Sequence, residues 1–201
     1  MNQSLNAKYW DDLYLNNDKP WDMGQVSPPL KAYFDQLTNK QISILIPGAG
    51  NAYEAEYLVN NGFTNVFVCD YASLPLQNLL ERCPQIKPEN LLQEDFFKME
   101  NKKFDLIVEQ TFFCAIDRSL RKEYFEKMND LLNPKGKLIG LLFNDTLNDD
   151  RPPFGGTKEE YEGYFKDIFS PKVYETAYNS LKPRVGRELF MNLEKPNHKA
   201  Y

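Results

Sequence analysis

The sequence predicts an α/β fold in which a mostly parallel central sheet carries helices on both faces. Three observations predict it. Short β-branched runs alternate with amphipathic segments, the connections between them are short, and the first run ends in a glycine turn that opens a helix. With 201 residues and 42% hydrophobic content, the chain suits one sizeable core, so we expect a single domain over residues 1–201.

The first four predicted elements follow the order βαβα. The run ISILIP at 42–47 is typical of a strand buried on both faces, and helical spacing after the glycine turn continues to Asn61-Gly62, a typical helix end. NVFVCD at 65–70 predicts a second strand. SLPLQNLLERC at 73–83 predicts a second helix, because Pro75 falls in its first turn, where proline is tolerated.

The alternation continues to residue 143, after which the composition changes. The sequence predicts a strand region at NLLQEDFF (90–97) and a strand at FDLIVEQ (104–110). It then predicts a helix at 119–132, a turn at NPKG (133–136) and another strand at KLIGLLF (137–143). A polar Pro/Gly-rich loop then leads to a helix at 158–169. Two closing strands at 172–178 and 187–192 follow, and we expect them to pair as an antiparallel hairpin at one sheet edge.

About forty residues precede the first strand and contain both tryptophans, Trp10 and Trp21. Two helical stretches are predicted here, at 7–15 and 28–37. Open α/β sheets bind ligands at the carboxyl ends of their strands. We therefore expect residues 1–40 to form a helical lid over a site at that end of the sheet.

Composition excludes several classes of protein. A net charge of −5 argues against a general binder of nucleic acids or anionic membranes. Cys69, Cys83 and Cys114 are too few and too irregularly spaced for a disulfide framework or a metal site, and the longest apolar run, at 137–143, is too short to span a bilayer. No signal sequence is evident, so we expect a cytoplasmic monomer or weak dimer that acts on small molecules.

The glycine turn at PGAG brings the backbone close to a ligand at a helix N-terminus. A Walker loop is excluded, because no Gly-Lys-Ser/Thr follows Gly50. A dinucleotide fingerprint is weakened, because Tyr53 stands where the third glycine is needed. S-adenosylmethionine is the third ligand that such a turn can hold, through its carboxylate, ammonium and ribose.

Two further positions favour S-adenosylmethionine. Asp70 ends the second strand, 22 residues after Gly48, where a carboxylate can accept hydrogen bonds from both ribose hydroxyls. Asp95-Phe96 follows the third strand and offers a carboxylate for an adenine amino group beside an aromatic face for the ring. Each signal alone has a structural alternative, a helix cap or a core aromatic. Together and in this order they favour the cofactor site.

Four motifs carry a resemblance to a known family: PWDMG (20–24), LIPGAG (45–50), FDLIVEQTFFCAID (104–117) and LLNPKGKLIGLLF (131–143). The chain resembles the thiopurine S-methyltransferase superfamily, and within it the halide, thiocyanate and thiol methyltransferases. The resemblance implies a Rossmann-like class I S-adenosylmethionine-dependent methyltransferase fold, with an antiparallel edge strand. Ala49 departs from the family, where cysteine is common, and Gln110 stands where some relatives have tyrosine.

The resemblance also implies site residues. The cofactor set comprises aromatic residues before the first strand, the glycine turn, the acidic strand end, the Asp-Phe pair and the end of the fourth strand: Trp10, Tyr14, Trp21, Gly48, Gly50, Asp70, Tyr71, Asp95, Phe96 and Gln110. For the acceptor we assign Phe112, Phe113 and Arg151. We expect one of the two phenylalanines to line a dry pocket, and Arg151 is a candidate group for attracting anions.

The predicted reaction is in-line methyl transfer to a small thiol, sulfide, thiocyanate or halide. Such acceptors arrive already charged and need no base, which fits a chain whose single histidine, His198, lies near its end. Two alternatives stay open. One is a larger heteroaromatic thiol or oxyanion acceptor, which a roomy pocket near Phe154 and Tyr161 would support; the other is a noncatalytic protein that binds S-adenosylmethionine.

Overall fold

The computed structural model describes residues 5–197. His198 therefore lies outside the described residues. Seven strands form one sheet: β1 Ile44–Pro47, β2 Val66–Asp70, β3 Leu91–Gln93, β4 Phe104–Gln110, β5 Leu132–Phe143, β6 Ser170–Thr176 and β7 Glu188–Glu194. Their order across the sheet is β3-β2-β1-β4-β5-β7-β6.

Six α-helices accompany the sheet: α1 Ala7–Leu15, α2 Pro28–Phe34, α3 Tyr53–Asn60, α4 Ser73–Arg82, α5 Arg121–Leu131 and α6 Lys158–Phe165. Within residues 5–197, none of the helices has the length and hydropathy that crossing a membrane requires. The helices at 28–37, 119–132 and 158–169 are each shorter than predicted. At 119–132 the reason is visible, because the Asp117 side chain caps a 3₁₀ turn that precedes α5.

The predicted mostly parallel sheet with antiparallel pairing at one edge is confirmed. Strands β1 to β5 pair in parallel. β7 runs antiparallel to β5, and β6 pairs antiparallel with β7, so the closing hairpin extends the sheet beyond β5. The connection from β6 to β7 is short, which suits antiparallel neighbours.

The NPKG segment differs from the prediction. It lies inside β5 rather than in a turn before it, since β5 starts at Leu132. The pairing with β4 steps from Phe104↔Leu132 to Leu106↔Lys137, and the extra residues of β5 form an irregularity there. Lys135 adopts a positive φ of 64° within it. The proline and glycine of NPKG predicted a turn before the strand, but the pairing of β5 with β4 continues through these residues.

Both faces of the sheet are buried, as the apolar strand runs predict. All four residues of β1 are buried. One apolar cluster contains Leu45 and Ile107 together with Phe125 of α5. The opposite cluster contains Ile46 together with Leu79 of α4. Between β1 and β4 the strand order reverses, and that point opens a crevice at the carboxyl ends of the strands.

Candidate functional site

A cavity of about 750 Å³ lies at the carboxyl ends of the parallel strands. All ten predicted cofactor residues line it: Trp10, Tyr14, Trp21, Gly48, Gly50, Asp70, Tyr71, Asp95, Phe96 and Gln110. Of the three predicted acceptor residues, Phe112 and Arg151 line it and Phe113 does not. The volume falls in the range of small-molecule and cofactor sites.

The glycine turn between β1 and α3 forms the floor of the cavity. Gly48 and Gly50 have φ of 53° and 52°, a left-handed conformation that glycine adopts without strain. A Cβ atom on Gly48 would lie 2.1 Å from Cδ2 of Phe112, and one on Gly50 would lie 2.6 Å from the hydroxyl oxygen of Tyr14. Backbone conformation therefore favours glycine at both positions, and close packing requires it at position 48.

Asp70 lies at the end of β2 beside this turn. Its carboxylate accepts hydrogen bonds from the Gly50 amide at 3.2 Å and the Ala72 amide at 3.0 Å. Burial raises the pKa of Asp70 to about 6, and these amide bonds only partly offset that rise. The carboxyl group therefore titrates within two units of neutral pH while it faces the cavity.

An aromatic wall covers the glycine turn. The rings of Trp10 and Trp21 meet edge to face with centroids 5.7 Å apart, and Tyr14 meets Trp21 in the same way at 6.2 Å. Burial raises the pKa of the Tyr14 phenol, which stays protonated at neutral pH. The wall therefore presents neutral π-faces to the cavity, a surface that attracts cations.

Three residues that the sequence did not single out hold this wall in place. The Arg184 guanidinium, 6% exposed, donates to the Trp21 carbonyl at 2.7 Å. The Asp22 carboxylate accepts from the Asn51 side chain at 2.5 Å, which ties the segment after Trp21 to the glycine turn. Asp11 of α1 accepts from the Leu74 amide of α4 at 3.1 Å. All are long-range contacts, which neither motif nor spacing predicts.

Asp95, Phe96 and Tyr71 line the opposite wall. The Asp95 carboxylate accepts from the Phe97 amide at 3.0 Å and so caps the short 3₁₀ turn at 96–98. Phe96 is 4% exposed and meets the ring of Phe112 edge to face at 5.3 Å. Tyr71 donates its hydroxyl proton to the Leu5 carbonyl. Asp95 therefore caps a turn and also lines the cavity, and its contact with the cofactor stays a prediction.

The segment after β4 separates the two phenylalanines. Gln110 ends the strand, and its side-chain oxygen is buried without a hydrogen-bond partner among the described residues. Phe112 faces the cavity. Phe113 turns into the core and packs against Tyr124 and Tyr161 at centroid distances of 5.0 and 5.1 Å. Only Phe112 remains a candidate for contact with an acceptor.

The far end of the cavity is apolar along its wall and charged at its rim. The wall comprises Cys114, Ala115, Ile116, Leu120, Pro153 and Phe154. At the rim, Arg118 pairs with Asp149 at 2.9 Å, and Arg151, whose side chain is 67% exposed, lies 4.0 Å from Asp150. Burial raises the pKa of the Cys114 thiol to about 12, so it is no nucleophile at neutral pH.

A family comparison decides what this site belongs to. The model of the thiopurine S-methyltransferase family matches residues 5–196. The chain belongs to that family. The resemblance carried by the four sequence motifs is thereby confirmed, and the chain is an S-adenosylmethionine-dependent methyltransferase.

Curated relatives differ in the acceptor for which they are named. A probable thiol methyltransferase 2 of Arabidopsis thaliana is 29% identical over 157 residues, 76% of this chain and 69% of the relative. A thiocyanate methyltransferase 1 of Brassica oleracea is 28% identical over 193 residues, 94% and 85% of the two chains. A thiopurine S-methyltransferase of Vibrio vulnificus is 22% identical over 200 residues, 90% and 91% of the two chains.

Solved structures confirm the Rossmann-like methyltransferase fold. A 1,6-didemethyltoxoflavin-N1-methyltransferase of Burkholderia thailandensis, with its acceptor and S-adenosylhomocysteine bound, matches with a TM-score of 0.75 at 16% identity, over 94% of this chain and 87% of that one. The N-methyltransferase NodS of Bradyrhizobium japonicum WM9, in complex with S-adenosylhomocysteine, matches with a TM-score of 0.72 at 17% identity, over 95% and 99%.

Proposed function

We propose that this methyltransferase methylates a small thiol, sulfide, thiocyanate or halide. The observation that carries the proposal is the far end of the cavity, where an apolar wall contains neither histidine nor lysine among the described residues. Hydrogen bonds from Ser119 lower the pKa of Asp117 at its edge, which makes that carboxylate a poor base. An acceptor that is already an anion needs no base to remove a proton. An apolar wall excludes water, which would otherwise solvate the anion and lower its reactivity.

The cofactor end fits S-adenosylmethionine in three respects. The glycine turn opens the backbone to a ligand and leaves no room for a Cβ atom at Gly48, Asp70 offers a buried carboxylate for ribose hydroxyls, and Gln110 has a buried side-chain oxygen without a partner among the described residues. Asp95 and Phe96 would hold the adenine ring. Tyr71 would stand beside the ribose, next to Asp70.

When bound, S-adenosylmethionine supplies a methyl group activated by a positively charged sulfonium. The rings of Trp10, Tyr14 and Trp21 would attract that charge, at about 0.5 to 2 kcal/mol per ring. Phe112 packs against Gly48 on one side and Phe96 on the other, so its ring supports the cofactor end of the cavity. Alignment and exclusion of water are then the contributions that the chain makes to the reaction.

The aromatic wall also supports the proposal that residues 1–40 act as a lid on a single domain. Trp10, Tyr14 and Trp21 all line the cavity. Arg184 and Asp22 anchor the segment around Trp21 from one side, and Asp11 anchors α1 from the other. A lid held by a few polar contacts can open for exchange of the cofactor and then close over it.

The acceptor class is tested by incubating the purified protein with S-adenosylmethionine and each of iodide, thiocyanate, bisulfide, several small thiols and a heteroaromatic thiol. Methylated products are quantified by gas or liquid chromatography. We expect turnover of the small anions and thiols to exceed that of the heteroaromatic thiol, since a roomy pocket near both Phe154 and Tyr161 would favour the larger acceptor and only Phe154 lines the cavity. Preference for the heteroaromatic thiol would overturn the proposal.

The pH dependence of turnover tests whether the enzyme supplies a base that deprotonates the acceptor. For each small thiol, the ratio of its turnover to that of iodide is measured between pH 6 and pH 9, because the ratio cancels ionisations of the enzyme that both reactions share. We expect the ratio to fall about tenfold per pH unit below the pKa of the thiol, since only the thiolate reacts. A ratio independent of pH would reveal a base in the enzyme.

A further inference from the structure

One buried carboxyl group near the site has no part in the function proposed so far. Glu109, the second last residue of β4, is fully buried and does not line the cavity. One of its oxygens accepts hydrogen bonds from the amides of Phe112 at 2.8 Å and Phe113 at 3.0 Å. The other accepts from the hydroxyl of Tyr124 in α5, which is also fully buried. Three donors thus converge on one carboxylate.

The segment that Glu109 holds is strained. Thr111 has a φ of 61°, in the left-handed region that a β-branched residue rarely adopts. Such strain persists only where the surroundings fix the conformation. The two amide bonds to Glu109 span Thr111, since they join the end of β4 to the two residues that follow the threonine. They therefore close the turn in which the strain is held.

A glycine on the neighbouring strand leaves room for the Cβ and Cγ atoms of Glu109. On the neighbouring strand β5, Gly140 is paired with Glu109. A Cβ atom on Gly140 would lie 2.3 Å from the Cβ atom of Glu109. A side chain at 140 would meet the Cβ, Cγ and backbone oxygen of residue 109, so glycine at this position lets β4 and β5 approach each other beside the buried glutamate.

We propose that Glu109 is a positioning residue whose buried carboxylate fixes the turn 110–112 in the conformation that sets Gln110 and Phe112 in the cavity wall. The consequence extends to the glycine turn, because the Phe112 ring occupies the space where a Cβ atom of Gly48 would lie. Displacement of the turn removes the support of the cofactor end. The proposal rests on the methyltransferase site described above, but not on which acceptor it uses.

The proposal predicts a pH dependence. Both amides bind one oxygen of Glu109 and the Tyr124 hydroxyl binds the other, so the ionised carboxylate satisfies all three donors, whereas a proton on the second oxygen would reverse the bond to Tyr124 and weaken the two amide bonds. Burial raises the pKa of Glu109 to about 7, although the bonds from Tyr124 and the two amides lower it in part. While the carboxyl group stays buried, the three bonds favour its ionised form, so the turn is held more firmly above pH 7 than below it, and cofactor affinity should rise with pH through that value.

The groups around Glu109 do not titrate in the same range. Tyr124 and Cys114 face it, and burial raises the pKa of both well above neutral pH. Arg121 and Arg184 lie near Cys114 and lower its pKa, without reversing the effect of burial. Strand β5 contributes only Gly140 opposite the carboxylate. A transition near pH 7 in the turn itself therefore reports Glu109.

Amide signals report the state of the turn directly. The full chain is labelled with ¹⁵N-phenylalanine, and the shifts of Phe112 and Phe113 are followed from pH 5.5 to 8.5, with S-adenosylhomocysteine affinity measured by calorimetry at the same pH values. We expect both amides to titrate near pH 7 in the wild type and not in Glu109→Gln. At pH 8 the variant should bind S-adenosylhomocysteine about three- to tenfold more weakly, since bonds to a charged acceptor are the stronger ones.

A second variant keeps the test decisive if Glu109→Gln does not fold. Tyr124→Phe removes one donor to the carboxylate, so the midpoint of the amide titration should move to higher pH. Tyr161→Phe is its matched control, because that buried phenol donates to the Phe143 carbonyl in the same aromatic cluster. Its midpoint should equal that of the wild type.

The proposal would be overturned by amides that do not titrate between pH 5.5 and 8.5, by a midpoint that Tyr124→Phe leaves unchanged, or by wild-type affinity in a folded Glu109→Gln. Asp70, whose pKa is about 6, also raises affinity with pH, but it accepts from the Gly50 and Ala72 amides and not from those of Phe112 and Phe113, and its transition should persist in Glu109→Gln. Failure of this proposal can be distinguished from failure of the proposed acceptor class, because neither the amide titration nor the S-adenosylhomocysteine affinity requires turnover.

Discussion

The two ends of the cavity are built differently. At the end proposed to hold the cofactor, backbone atoms at strand termini line the cavity, and Gly48 leaves no space for one more carbon atom. At the acceptor end, the wall comes largely from the turn after β4 and the loop 144–157, which folds across the sheet edge. The glycine-turn end is therefore fixed by main-chain geometry. Side chains at the far end can change without disturbing it.

The side chain of Arg121 helps to hold the loop 144–157 at this end of the cavity. Arg121 of α5 is fully buried and donates to the Gly155 carbonyl at 3.0 Å and to the Phe154 carbonyl at 3.4 Å, while it pairs with Glu160 at 2.8 Å. Its guanidinium also lies 4.8 Å from the ring centroid of Phe113. The curated relatives are named for different acceptors, a thiol, thiocyanate and a thiopurine.

The largest effect is expected from Gly48→Ala. The new methyl group would lie 2.1 Å from Cδ2 and 2.8 Å from Cβ of Phe112, so the whole residue, not only its ring, would have to move. The left-handed φ of 53° adds about 1 to 2 kcal/mol of strain. We expect S-adenosylhomocysteine affinity, measured by calorimetry, to fall by more than about a hundredfold.

Gly62→Ala is the control for this change. Gly62 also has a positive φ, 85°, but a Cβ atom there would meet no other atom within 4 Å. It follows the end of α3, away from the cavity. The substitution should lower the free energy of unfolding by about 1 kcal/mol and leave cofactor affinity within twofold of wild type. If both variants lost affinity equally, the cofactor end would be less rigid than the geometry indicates.

Asp70→Ala should weaken cofactor binding by about 1 to 3 kcal/mol, because ribose hydroxyls lose a buried acceptor. The pH dependence sharpens this expectation. Since burial raises the pKa of Asp70 to about 6, wild-type affinity should fall as pH is lowered through 6, and the variant should lose that part of the dependence. Calorimetry from pH 5 to 8 measures both. Unchanged affinity in the variant would remove Asp70 from the site.

All ten residues predicted for the cofactor line the cavity, but only two of the three predicted for the acceptor do, and the physical reason lies in the elements that carry each set. Gly48 and Asp70 are the ends of consecutive buried strands, so a short apolar pattern places them side by side. Phe113 could not be separated from Phe112 in that way, because their directions depend on the left-handed Thr111 between β4 and the two rings.

Long-range polar contacts also escaped the sequence. Arg184 reaches Trp21 across 163 positions, and nothing in either segment signals the other. Glu109 lies in a predicted apolar strand, and the sequence did not distinguish it from the residues around it. Its buried carboxylate nevertheless accepts the hydrogen bonds that close the turn that follows. Charged residues are rarely buried without partners. Such a residue within an apolar strand is the signal that deserves a search for partners elsewhere in the chain.

Arg121→Met tests whether the acceptor end is independent of the cofactor end. Methionine fills much of the same volume but leaves the Phe154 and Gly155 carbonyls without their donor, which should cost about 1 to 3 kcal/mol of unfolding free energy. We expect the acceptor KM to rise severalfold, measured with the preferred acceptor, while the Kd for S-adenosylhomocysteine changes less than twofold. Equal losses at both ends would contradict the division.

The smallest effect is expected at Arg151, which the sequence assigned to the acceptor. Its side chain is 67% exposed and lies 4.0 Å from Asp150, so its charge is screened by solvent and by a neighbouring carboxylate. Arg151→Gln should raise the KM for iodide or thiocyanate by less than about twofold at 0.15 M salt. Arg118→Gln is the comparison, because Arg118 lies at the same rim but is held by Asp149 and packs over Phe154. A larger loss in Arg151→Gln than in Arg118→Gln would mean that the rim itself selects anions, and that the apolar wall behind it does not act alone.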